Sequence, residues 1–206
     1  MNLISNCCLI GDLCENKHIQ YFTPFVWNTF FPDDVKILIK KYNEIDFSKI
    51  KLTKYKDTKY YGLIIDDKLT VYYIHYLYAD HDGFIRDNYL KNVTGREIET
   101  YIVNCYKRRL ARLDVTEKPK FMFITNREPH AEILGRQETE TEWQEIIDLL
   151  NTNDYEGIVF TKFDNLHENE KVKVVKINDL NPKVTLEKNI DLVNEFIKWK
   201  SNEATL

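Results

Sequence analysis

The segment Ser5-Asn6-Cys7-Cys8 places two adjacent thiols where a short apolar strand, beginning at Leu3, is expected to end. A thiol attacks as thiolate, which needs a neighbouring His, a cation or a helix N-terminus. A strand-to-helix turn could supply all three to Cys7 or Cys8. The alternative is that both cysteines pack as small hydrophobes, the usual fate of free Cys. His75, in Val71-Tyr72-Tyr73-Ile74-His75-Tyr76, is the first candidate base. Strand alternation puts it on the face of Tyr73 and Val71, where a hydrogen-bonded core histidine is also common. His81, between Asp80 and Asp82, competes for the role and also reads as a solvated loop residue. Asn6 could orient the base or donate to an oxyanion.

A second group of residues suits anions. Residues 96 to 113 have helical spacing, with Ile98, Ile102, Cys105 and Leu113 forming one apolar stripe. At about 100° per residue, Arg109 falls near the centre of that stripe and Arg112 near its edge. Lys107 falls on the opposite side, and Arg108 lies outside the main stripe. An inward arginine must meet a carboxylate or an anion, because an unpaired buried charge is too costly. Arg109 and Arg112 therefore either lock an internal ion pair or hold an anionic ligand. Asn126-Arg127, just after an apolar strand at 120–125, would lie at a strand end. In open α/β sheets, ligands bind beyond such carboxyl ends. If the strands ending near Cys7, His75 and Asn126 are parallel, their ends share one rim.

Other chemistries find no support. Cys7, Cys8 and Cys14 with His18 lack the CxxC pairing of a zinc site, so neither metal nor cofactor is expected. His130 and His167 have no supporting context. The six scattered glycines form neither a phosphate-cradling loop nor a dinucleotide fingerprint. Neither G-x-S-x-G nor HExxH is present. The stretch Glu138 to Glu145 reads as a solvated helix start.

The elements that must hold these residues follow from patterning. Helices are expected from Pro32, with Val35, Leu38, Ile39 and Tyr42 inward, and over 96–113, 141–150 and 186–199. Strands are expected near 3–5, 120–125, 157–163 and 172–177, with a hairpin of 60–65 and 69–77 turning at Asp66-Asp67-Lys68. Strands alternating with helices imply crossovers and a partly parallel sheet, which the hairpin would make mixed. The expected class is α/β: a three-layer, Rossmann-like mixed sheet with helices on both faces, as a single domain spanning 1–206. At 206 residues, 43% hydrophobic and 13% aromatic, the chain can bury a sizeable core. Its net charge of -4, from interspersed charges, disfavours nucleic-acid binding. No apolar run is long enough to insert in a membrane, and no signal-peptide pattern opens the chain, so a cytoplasmic location is expected. The sequence leaves the oligomeric state open.

Ser5-Asn6-Cys7-Cys8, Gly11, Tyr21-Phe22-Thr23-Pro24-Phe25-Val26, Phe30-Phe31-Pro32-Asp33, Ile74-His75-Tyr76 and Tyr106 to Leu113 resemble a bacterial family associated with exopolysaccharide biosynthesis. The resemblance touches about the first 115 residues. The chain is also similar to a family designated papain-like cysteine peptidases, through Ser5-Asn6-Cys7 and Pro24-Phe25-Val26-Trp27. The first pattern selects Cys8, the second Cys7. The resemblance implies a cysteine-dependent hydrolase or transferase of acyl or glycosyl chemistry, with His75 as base. Its substrate would be a small molecule or saccharide bearing an anionic group, held by Arg109 and Arg112. A noncatalytic module binding an anionic sugar or nucleotide-sugar, or a structural component of a biosynthetic complex, are the competing readings. Against a peptidase proper, the turn after Cys8 contains Gly11 and no third member follows His75.

Overall fold

A computed structural model describes residues 2–6, 25, 30–54, 61–72, 95–114, 116–125, 135–177 and 190–201. The elements are β1 (Leu3–Ser5), α1 (Pro32–Lys41), β2 (Ile50–Lys54), β3 (Tyr61–Ile65), β4 (Leu69–Tyr72), α2 (Gly95–Leu110), β5 (Lys120–Ile124), α3 (Glu140–Thr152), β6 (Gly157–Thr161), β7 (Val172–Lys176) and α4 (Ile190–Ser201). They form an α/β fold with a parallel sheet ordered β1-β5-β6-β7 and an antiparallel sheet ordered β2-β3-β4.

The parallel sheet is built from apolar runs. Phe121, Met122, Phe123 and Ile124 of β5 are fully buried, as are Ile158, Val159 and Phe160 of β6. Strands covered on both faces need such continuous apolarity. Phe121, Phe123 and Val159 join one core with Val35, Leu38 and Ile39 of α1 and Trp143, Ile146, Ile147 and Leu150 of α3. On the other face α4 packs against β6, burying Leu192, Val193 and Phe196, and its Glu195 pairs with Lys173 of β7 at 2.6 Å. Helices thus lie on both faces. The outer side of β1 is covered where the Ser5 N–H donates to the Phe25 carbonyl at 3.2 Å.

The helix starts obey local rules. Pro32 opens α1, with Asp33 and Asp34 in the first turn and Lys40 and Lys41 in the last, matching the helix dipole. A reciprocal capping box between Thr139 and Glu142 opens α3. Lys36 of α1 pairs with Glu145 of α3, and the charge of Asp33 acts on Arg136 just before α3. The two helices therefore start at the same end of the molecule. Because α3 links parallel strands β5 and β6, that end is the carboxyl edge of the parallel sheet.

Two expectations change. Among the described residues the hairpin pairs not with the parallel sheet but with β2, a strand not anticipated from its short, lysine-rich sequence, in a separate antiparallel sheet. Its turn works without glycine because Asp66 and Asp67 both take positive φ, 52° and 53°, the requirement of a type I′ turn. Gly62 of β3 is needed for a different reason: a Cβ there would lie 2.6 Å from the Val71 carbonyl oxygen of β4. The helix expected to reach Leu113 ends at Leu110, with Ala111 and Arg112 in a turn.

Candidate functional site

The carboxyl edge of the parallel sheet gathers polar side chains. Asn6, immediately after β1, is fully buried; its Nδ2 donates to the Ile124 carbonyl at 2.9 Å, and its Oδ1 accepts the Ile124 N–H at 3.0 Å. A carboxamide has the donor and acceptor of a peptide group, so Asn6 extends the β1–β5 ladder by a side-chain rung. Past β5, the buried Thr125 donates its hydroxyl to Thr161 Oγ1 at 2.9 Å, and its N–H donates to the Phe160 carbonyl at 3.0 Å. Thr161 Oγ1 also accepts the Phe163 N–H at 2.9 Å. This edge is buried yet hydrogen-bonded, as buried polar groups must be.

The start of α3 completes the edge. Glu138, buried, accepts the Trp143 indole N–H at 2.9 Å. Arg136 bonds Glu142 at 2.5 and 2.9 Å, holding the Glu142 carboxyl down at about 2. Glu140 accepts the Asn165 side-chain amide and the N–H groups of Asp164 and Asn165, which hold its carboxyl below the usual range. These bonds tie the loop after β6 to the start of α3.

Of the residues singled out from sequence, Cys7, Cys8, His75, Asn126 and Arg127 lie outside the described residues, as do His81, Cys14, His18 and His130. Asn6 lies on the carboxyl edge. Arg109 is half-buried on the side of α2 that buries Ile102, Cys105 and Tyr106, near the middle of that face. Arg112 is exposed. Helical extrapolation carried it to the stripe edge, but the helix has ended two residues earlier. The turn after it is anchored at the opposite end of the sheet: the Asn2 side chain donates to the carbonyls of Asp114 and Glu117, and the Asn2 carbonyl accepts from Lys120 N–H. Asn2 and Asn6 are separated by extended chain of about 13 Å. Asn6 and Arg112 are thus directed to opposite ends of the parallel strands. Arg108 rests its guanidinium on Cys105 Sγ at 3.1 Å.

The condition that three strand ends share one rim holds for β1 and β5, which are parallel neighbours. The strand preceding His75 belongs to the antiparallel sheet, but β4 runs toward the same end: Tyr72 packs on Phe31, just before α1, at 5.3 Å between ring centroids. The strand order never reverses, so the described strands form no switch-point crevice of the doubly wound kind.

Glu138 was missed, having been read as part of a solvated acidic start. The capping box of Thr139 and Glu142 makes Glu138 the residue before the cap and Trp143 the fourth helical residue. Those two positions meet across the helix entry, usually through apolar side chains. Here the contact is carboxylate to indole, and it is legible once the Thr-x-x-Glu box is seen.

Among the described residues no group of His, Cys, Asp and Glu is placed to hold a metal ion, and no helix is long and apolar enough to cross a membrane. Fold and edge together define an α/β protein with an all-parallel four-stranded sheet and hydrogen-bonded polar strand ends. No protein-family model matches the chain, and no curated protein matches it.

Proposed function

We propose that the carboxyl edge of the parallel sheet carries a cysteine-dependent hydrolase or transferase site, acting on a small molecule or saccharide with an anionic group in surface-polysaccharide metabolism. One observation carries this reading. β1 and β5 are parallel neighbours locked together by Asn6, so the chain enters the Cys7-Cys8 segment and the Asn126-Arg127 segment from adjacent places on one edge. The direction of β4 toward that end supports His75 as the base. In this mechanism His75 takes the proton of Cys7 or Cys8, and the thiolate bonds to an acyl or anomeric carbon. The leaving oxygen departs with that proton, and water or an acceptor hydroxyl then releases the product. With its carboxamide bonded to Ile124, Asn6 acts as a positioning residue that fixes the strand end before the thiols. Asn126-Arg127, entered from this same edge, is the better candidate to hold the anionic group, because Arg109 in the last turn of α2 lies with Arg112 toward the opposite end of the sheet.

The half-buried position of Arg109 favours a second reading, a noncatalytic module that binds an anionic sugar or nucleotide-sugar. The pH dependence of iodoacetamide alkylation at Cys7 and Cys8, resolved by peptide mass spectrometry, separates the two. One thiol reacting fast near neutral pH, and slowing in His75→Ala, is the expected result. Slow reaction of both thiols, unchanged in His75→Ala, would remove the nucleophile and leave the binding module.

A further inference from the structure

We propose that Asp34 is a pH-sensitive latch between α1 and the antiparallel sheet, closed when its carboxyl is protonated and loosened when it ionises. Asp34 lies in the first turn of α1, half-buried, and its Oδ1 accepts the N–H of Thr70 at 2.9 Å. Thr70 belongs to β4, the outer strand in the order β2-β3-β4. The bond therefore crosses from helix to sheet edge and covers a backbone donor that an edge strand would otherwise present. Around it the contact is apolar: Leu69 and Val71 flank Thr70 and are fully buried, and Phe31 packs on Tyr72.

Among the described residues, the charged groups near this contact do not neutralise Asp34. β3 and β4 carry no charged residue. Lys68, at the start of β4, pairs with Asp66 in the turn at 2.5 Å. On α1, Asp33 adds like charge, and Lys36 pairs with Glu145. Arg136, from the start of α3, is engaged by Glu142. The Thr70 N–H and the helix N-terminus favour the carboxylate, but loss of water around it outweighs them. Burial is the largest effect and Asp33 adds to it, so the carboxyl is pushed up to about 6. An ionised carboxylate in such a place gains hydration when β4 separates from α1.

The sign follows from linkage. The folded value, about 6, lies above the ordinary 3.8, so the stabilising contribution is complete below 3.8 and is lost as pH rises through about 6. Backbone hydrogen exchange of Thr70 in the full chain, corrected for the intrinsic rate, tests this between pH 4 and pH 7. The wild type should show an opening equilibrium that grows by tenfold to roughly a hundredfold over that range. Asp34→Asn, which keeps the acceptor for Thr70 and cannot ionise, should abolish the change. Asp33→Asn should move the transition to lower pH. Equal pH dependence in wild type and Asp34→Asn overturns the latch. So does an Asp34 carboxyl that titrates near 4 by carbon NMR in the wild type, a reading that does not depend on any variant folding. Neither result bears on the thiol chemistry proposed above.

Discussion

The two sheets solve the same problem by different means. The parallel sheet buries both faces under helices and ends its strands in side chains that bond the neighbouring strand: Asn6 to Ile124, Thr125 to Thr161. The antiparallel sheet buries Leu63, Ile65, Leu69 and Val71 in the shared core, leaves Ile64 and Thr70 only partly buried, and carries ion pairs at its exposed turn, where Asp66 meets Lys49 and Lys68, and Asp67 meets Lys51. Burying apolar side chains on two faces stabilises more than burying one face and pairing exposed ions. The parallel sheet should therefore be the rigid part of the molecule, and the antiparallel sheet the part that opens first.

The largest contrast should come from the shared core. Phe123 is fully buried with its ring 5.5 Å from that of Trp143. Phe123→Ala should lower unfolding stability by about 3–5 kcal/mol in denaturant titration. A loss under 1 kcal/mol, far below the roughly 3–5 expected for a buried Phe, would mean that the α1–α3 layer is not packed as described. Next, Asn6→Ala strips partners from the N–H and carbonyl of Ile124, and should cost about 1–3 kcal/mol. Asn6→Asp should be no milder, because a carboxylate repels the Ile124 carbonyl instead of donating to it. An unchanged denaturation midpoint in both would show that the side-chain rung is dispensable. In the antiparallel sheet Gly62→Ala forces its Cβ onto the Val71 carbonyl and should cost about 1–3 kcal/mol. Exchange at β3 and β4 should accelerate while β5 and β6 stay protected; uniform acceleration would join the two sheets into one cooperative unit.

How legible this was depended on which force held each part. The strands of β5 and β6 show in the sequence because apolar runs without interruption have few other uses. β2 did not, since Ile50-Lys51-Leu52-Thr53-Lys54 is short and its alternation is set by pairing with β3. Likewise the Asp66-Asp67 turn announced a hairpin but not which sheet it would join; that is decided by packing against α1. Asn6 at the candidate site and the inward face of Arg109 were visible from strand end and helical period. Arg112 was misplaced because the wheel was continued past the last helical hydrogen bonds. Glu138 was overlooked because composition suggested solvent, whereas the capping box turns the residue before it inward. Period finds faces well; it says little about where an element stops.

The charges act through pH, and there the two regions differ in sign. At the turn, Lys68 and the Asp46 N–H hold the Asp66 carboxyl at about 2. Its folded value lies below the ordinary one, so that contribution is present above 3.8 and fades as pH falls toward 2. Glu142, held at about 2 by Arg136, acts in the same direction at the start of α3. Asp34 acts oppositely, strengthening the α1–β4 contact as pH falls through about 6. Exchange protection in β4 should therefore rise on acidification from pH 7, peak near the ordinary carboxyl value, and then fall. Protection in α3 should show only the fall. Added salt should flatten the acid limb at the exposed turn and leave the Asp34 limb nearly intact, because partly buried groups are screened less. Parallel pH profiles in β4 and α3 would mean that the two regions are not electrostatically distinct, and that packing alone separates them.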